Sequence, residues 1–94
     1  RLETEAGTTR LDFPLVNPQG NTCYMKYTIR DAQTDEALYS SGLIGPGQAV
    51  LSFDLNRPVE AGTYEILLQV ETSDLDDYTV QLNGAEIPAE LEAK

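Results

Sequence analysis

The sequence predicts an all-β sandwich of about seven antiparallel strands. Three observations carry that expectation. Short segments alternate apolar and polar residues, and turn signals recur between them roughly every 8 to 12 residues. No segment long enough for a helix repeats its apolar residues at helical spacing. Finally, Pro58, Val59, Glu60, Ala61, Gly62, Thr63 and Tyr64 form a corner. Its turn on Ala61 and Gly62 delivers a tyrosine to a strand that points Tyr64, Ile66, Leu68 and Val70 to one face. β-Sandwiches use such a corner with the tyrosine packed inward and its hydroxyl on a backbone partner, so Gly62 and Tyr64 are structural candidates.

The elements follow in order. Residues 1–9 are polar, rich in threonine and glutamate, and bury nothing by this reading; they are expected to be a linker or a disordered start, with one domain over residues 10–94. Leu11, Phe13 and Leu15 then share a side, while Pro14, which cannot donate to a ladder, marks an edge strand or one that switches sheets. A turn at residues 17–21 leads to the clearest strand of the first half, with Cys23, Met25, Tyr27 and Ile29 facing the core and Tyr24, Lys26, Thr28 and Arg30 facing away. A polar turn at 31–36 precedes residues 37–44, which put Leu38 and Tyr39 on opposite faces and end at the reversal Gly45, Pro46, Gly47. Ala49, Leu51, Phe53 and Leu55 alternate with Val50, Ser52 and Asp54, and residues 56–62 lead into the corner and the long strand 63–72.

Beyond Thr72 two assignments compete. Either residues 78–82 pair with 85–91 across an Asn83-Gly84 turn, or residues 73–84 are one connection and 85–93 form the closing strand beside 63–72. The second is preferred, because a sandwich needs a last strand over its core and Pro88 suits a strand near an edge.

Composition narrows the function. The chain of 94 residues has room for one domain and one core. Six basic against sixteen acidic residues leave a formal charge of −10, which repels phosphate backbones and excludes nucleic acid as an expected partner. Cys23 is the only cysteine and histidine is absent, so neither an internal disulfide nor a histidine ligand or base is available. The longest apolar run in the strands, Ile66 to Leu68, is far too short to span a membrane. With no methionine at position 1, the expectation is a chain processed or excised from a longer one.

Asn17-Pro18, the strand Cys23-Tyr24-Met25, residues Leu38 to Ile44, the turn Pro46-Gly47 and the corner Ala61-Gly62-Thr63-Tyr64 together resemble small immunoglobulin-like or fibronectin-III-like domains. More narrowly, with an acidic stretch ahead of the domain and Asn83-Gly84-Ala85 before the last strand, the chain is similar to uncharacterised domains in surface-anchored proteins and lipoproteins of Gram-positive gut bacteria. The likeness covers residues 11–91. It implies an immunoglobulin-like sandwich, an extracellular place on a cell envelope, and an accessory or spacer role whose partners are neighbouring domains of the parent protein or another surface protein. The paired cysteines and the tryptophan of antibody domains are missing.

Candidate chemistry is sparse. Asp74, Asp76 and Asp77 offer oxygens to a hard cation such as calcium, but without the glycine and distal glutamate of a complete loop; a solvated acidic loop is the plainer expectation. The serines have no histidine to activate them, so no enzyme activity and no cofactor are expected. Cys23, at the head of an inward set, reads as an inert core thiol. Tyr24, Tyr39 and Tyr78 lie outside the inward sets and form a candidate glycan-stacking face. Lys26 and Arg30, isolated cations in an acidic chain, are expected to pair across the sheet with Glu65 and Glu71. The functional expectation is a non-enzymatic structural or protein-interaction module, with a carbohydrate- or calcium-binding accessory module as the alternative.

Overall fold

The computed structural model describes residues 2–94, with Asn83 described by its backbone alone. The described chain is all-β. In chain order it forms β1 (Leu2–Thr4), β2 (Arg10–Leu11), β3 (Leu15–Val16), β4 (Cys23–Asp31), β5 (Ala37–Ser40), β6 (Ala49–Val50), β7 (Phe53–Asp54), β8 (Gly62–Asp74) and β9 (Gln81–Ala93). Five strands make the main sheet in the order β1-β9-β8-β4-β5, curled into a half-barrel. The pairs β2-β7 and β3-β6 complete the strand pairing outside it.

The strands differ from expectation in three places, each with a physical reason. Residues 1–9 were expected to bury nothing, yet Leu2 is only 4% exposed and β1 pairs with the end of β9. That pairing is parallel, so the main sheet is mixed rather than antiparallel throughout. A three-residue strand carrying one apolar side chain has too few residues to register as an alternation.

Second, the expected strands 10–16 and 49–55 each appear as two short pieces. Leu11 and Leu15 are four residues apart, but their partners Phe53 and Val50 are three apart, so the two ladders cannot share one register. Pro14, with no donor, sits in the gap. The inward alternation therefore breaks at Leu51 and Ser52. Val50 packs on the core and Leu51, expected inside, is 72% exposed.

Third, β8 and β9 run further than either tail assignment. Strand 85–93 does lie beside 63–72, with Tyr64 opposite Leu91 and Ile66 opposite Ala89. The connection, however, is only residues 75–80, and Asn83 and Gly84 lie within β9 rather than in a turn. Asp74 closes the turn by donating its N–H to the Val80 carbonyl at 3.0 Å. A Cβ on Gly84 would stand 2.8 Å from the Val70 carbonyl oxygen, so this dipeptide serves close strand approach.

The core forms where the concave side of the sheet meets the short pairs. Ile29, Leu38, Ile66, Leu91, Ala93 and Leu2 come from the sheet; Leu11, Leu15, Ile44, Phe53, Leu55 and Val59 come from the segments packed against it. Each fully buried leucine or isoleucine contributes about 1.5–3 kcal/mol. Cys23 is only half-buried, opposite Asp74, because the inward set of β4 reaches the core chiefly through Ile29 and Tyr27.

One buried polar side chain ties these parts together. Asn17 is 0% exposed, and its Nδ2 donates to the carbonyls of Cys23 at 2.9 Å and Ile44 at 2.7 Å. Its Oδ1 accepts from Asn21 Nδ2 at 2.8 Å, and its backbone bonds to Gly47 and Gln48. Nearby, the Tyr27 hydroxyl donates to the Val16 carbonyl at 2.7 Å.

Asn17→Ala should therefore destabilise the fold by about 1–3 kcal/mol, since it removes both side-chain bonds to the Cys23 and Ile44 carbonyls and leaves the Ile44 oxygen with only the Met25 N–H. Asn17→Asp should cost more near neutral pH, because a carboxylate would face those same oxygens. Its folded pKa would be raised, so that excess cost should shrink as pH falls into the ordinary carboxylate range. Urea unfolding of both variants at two pH values checks the order; equal stability of Asn17→Asp and wild type at neutral pH would contradict the hub.

Candidate functional site

The three aspartates are placed in the β8-β9 turn, where they serve the turn itself. Asp74 Oδ1 accepts the N–H groups of Asp76 at 2.8 Å and Asp77 at 3.4 Å. Asp77 Oδ1 accepts both the N–H and the hydroxyl of Thr79, and those bonds hold its carboxyl below the usual aspartate range. Among the described residues no group of three acids, histidines or cysteines is gathered as a cation site.

The three tyrosines are not brought onto one face. Tyr39, on β5, stacks on Phe53 with ring centroids 4.1 Å apart and planes 19° from parallel, as part of the core's margin. Tyr24 is half-buried on β4, opposite Ser73 and near Gly45. Tyr78 stands in the β8-β9 turn, 65% exposed, over a shallow cleft shared with Lys26, Glu71, Ser73 and Gln81.

The corner residues are placed as a corner. The Tyr64 hydroxyl donates to the Glu60 carbonyl at 2.8 Å, four residues back, and the ring packs against the core. Gly62 has φ +149°, a backbone conformation that is essentially confined to glycine. Of the two cations, Lys26 lies directly across from Glu71, whereas Arg30 donates to Gln69 Oε1 and the Asp35 carbonyl, both at 3.2 Å, and stands opposite Leu67.

The feature with an unspent bonding capacity is the outer edge of β9. Among the described residues β1 covers it at Leu91, Glu92 and Ala93. Glu65 of β8 gives its carbonyl to Ala32, so the alternate residues Ile66, Leu68 and Val70 direct their backbone groups to β9, where Ala89, Ile87 and Ala85 face them. The intervening Gly84, Glu86, Pro88 and Glu90 therefore turn their backbone groups outward, as Lys94 does when it bonds Thr4 and Ala6. Pro88 costs the β8 ladder nothing, because its missing N–H lies on this open side. Beside the edge runs an apolar groove of about 740 Å³ lined by Leu2, Phe13, Leu68, Ile87 and Ala89, with Glu65 and Glu90 among its lining residues. Ile87 is 49% exposed there.

Sequence reasoning named Pro88 as an edge residue but did not find this edge. The signal was available in the alternation of Glu86, Pro88 and Glu90 with Ala85, Ile87 and Ala89, once the strand was extended.

Beside the β4-β5 turn Arg57 forks onto Glu36, Nε to Oε2 at 3.0 Å and Nη2 to Oε1 at 3.1 Å. The guanidinium hydrogen bonds hold the Glu36 carboxyl below its ordinary range. Burial raises the Tyr27 hydroxyl above its ordinary range, and it donates to the Val16 carbonyl.

Compared with known families, with curated proteins and with solved structures, the chain matches none.

Two tests follow from this geometry. Tyr64→Phe should cost about 0.5–1 kcal/mol, the worth of one partly solvated hydrogen bond. Gly62→Ala should cost about 1–3 kcal/mol through backbone strain alone, since a Cβ there meets open space. Denaturant melts measure both, and a neutral Gly62→Ala would remove the conformational argument. Separately, Glu36 has a folded pKa below its unfolded one, so its contribution is present above the ordinary glutamate range and is lost as pH falls through the folded value. Glu36→Gln should flatten that acid-side slope of stability; an unchanged slope would show the fork to be idle.

Proposed function

We propose that this chain is an immunoglobulin-like sandwich module of a larger bacterial cell-surface protein, non-enzymatic, extracellular, and active through contact with neighbouring domains or another surface protein. The single observation that carries the reading is the open edge of β9 over residues 84–90, a run of outward backbone groups beside an apolar groove. The sandwich part draws on the tyrosine corner, whose bond from Tyr64 to the Glu60 carbonyl follows the pattern of that architecture. The strong acidic surplus suits a module that stays soluble at an exposed surface.

A second reading is favoured by one feature. Tyr78, exposed above Lys26, Glu71, Ser73 and Gln81, pairs an aromatic face with polar groups in the manner sugar rings require. Calcium binding draws less support, because Asp74 and Asp77 already spend oxygens on their own turn.

Thermal melts with calcium, with a chelator and with a panel of soluble oligosaccharides separate the two readings. A small ligand that binds only the folded state must raise the apparent stability, and the interaction module should show no shift with any of them. A shift with an oligosaccharide, abolished by Tyr78→Ala, would overturn the first reading in favour of the second. In the source cells, the protein should be cleaved by protease added outside intact cells; recovery in the cytosol would sink the envelope assignment.

A further inference from the structure

We propose that the open edge of β9, from Gly84 to Glu90, receives an extended basic segment of another protein, which adds to the main sheet as a further strand in line with β1. The inference rests on the interaction-module reading and specifies its partner.

Three observations converge on it. The edge is continuous with a ladder that already exists, since among the described residues β1 pairs with β9 at Leu91, Glu92 and Ala93. The backbone groups of Gly84, Glu86 and Glu90, and the carbonyl of Pro88, point outward, so an incoming strand finds donors and acceptors at every second residue except the proline nitrogen. The two faces of that added strand would meet different chemistry. By strand alternation Ala85, Ile87 and Ala89 share the side of Leu68 and the groove, while Glu86 and Glu90 alternate with them, Glu90 at the groove's margin and Glu86 in a cleft with Arg30 and Asp35. The matching segment therefore alternates apolar side chains with lysine or arginine.

Charge excludes the obvious competitor. A second copy of this chain would bring its own β9, with Glu86 and Glu90, onto the same carboxylates, and each copy carries a formal charge of −10. Pro88 removes a donor from each edge as well, so self-pairing loses hydrogen bonds on both sides. A basic strand avoids the repulsion and loses only one bond. Acidic side chains on an exposed edge thus act on partner choice, repelling the copy and attracting the cation.

The test uses the full chain and two short synthetic peptides, one alternating lysine and valine, the other alternating glutamate and valine. Amide hydrogen exchange is followed by NMR. The basic peptide should slow exchange at Gly84, Glu86 and Glu90 and leave Ala85, Ile87 and Ala89, already bonded to β8, unchanged. The acidic peptide should do nothing. The double variant Glu86→Lys with Glu90→Lys, on exposed positions that should leave the fold intact, should weaken the basic peptide about tenfold and gain the acidic one. Absence of protection with the basic peptide, or protection elsewhere, overturns the proposal. So does concentration-dependent protection of these amides without any peptide, which would assign the edge to a second copy. If the peptide fails while the protein remains exposed on the cell surface and silent to small ligands, the edge proposal falls alone. An oligosaccharide shift or a cytosolic location would instead sink the module reading.

Discussion

The short pair β3-β6 is held over the main sheet by a buried amide more than by its own ladder. β2-β7 and β3-β6 each contribute two residue pairs, far below what an independent two-stranded unit needs in water. Asn17 supplies the missing connection: from the end of β3 it bonds the start of β4, the bridge residue Ile44 and the turn at Gly47 and Gln48. Asn17 itself is fully buried, so its amide finds these partners in the protein rather than in water, and the Ile44 oxygen it shares with the Met25 N–H lies in the β4 bridge. Tyr27 repeats the tie one step along the sheet by bonding Val16. With these segments fixed, Leu11, Leu15 and Phe53 meet Ile29, Ile66 and Leu91, and the core follows.

The same arrangement explains where the molecule stays open. β8 and β9, thirteen residues each, run about 40 Å at roughly 3.3 Å per residue, close to the 42 Å long axis of the molecule. The short pairs and β1 cover only part of that length. Toward the β8-β9 turn the concave face passes from the buried Leu91 to the half-buried Ala89 and then the exposed Ile87. A long hairpin under a short cover leaves an uncovered end by geometry, and the open edge and its groove are located there.

Much of the sheet was legible because alternation is a local property. Ile29 facing in, Tyr64 with Ile66, and strand 85–93 beside 63–72 needed only parity and the demand that a core be covered. The corner was legible because Gly62 and Tyr64 carry backbone and hydroxyl requirements that few other settings share. What escaped was set by register between distant segments. Leu51 faces out because the ladder of Leu15 with Val50 and the ladder of Leu11 with Phe53 are out of step, and neither strand alone reveals it. Asn17 looked like a turn residue because its partners, Cys23 and Ile44, are neighbours only in the fold. Asn83-Gly84 gave a true signal of glycine need with the wrong cause, close approach to Val70 rather than reversal.

The candidate site was the least legible part, since an open edge is defined by what does not pair with it. From composition, sixteen acidic residues read as a general solubility device. Placed on β9, Glu86 and Glu90 acquire a local meaning: with Pro88 between them they lie along a stretch of long strand that, among the described residues, pairs on its β8 side alone. An edge left apolar would pair with any extended chain, including its own copy, whereas these residues make pairing depend on the charge of the incoming segment. The proline nitrogen faces away from the β8 ladder and costs it nothing, whereas Glu90 stands directly opposite Glu65 of β8, a like-charge pair that the fold carries at a small cost. Partner choice and stability therefore meet at Glu90, where the charge that would select an incoming segment also repels Glu65.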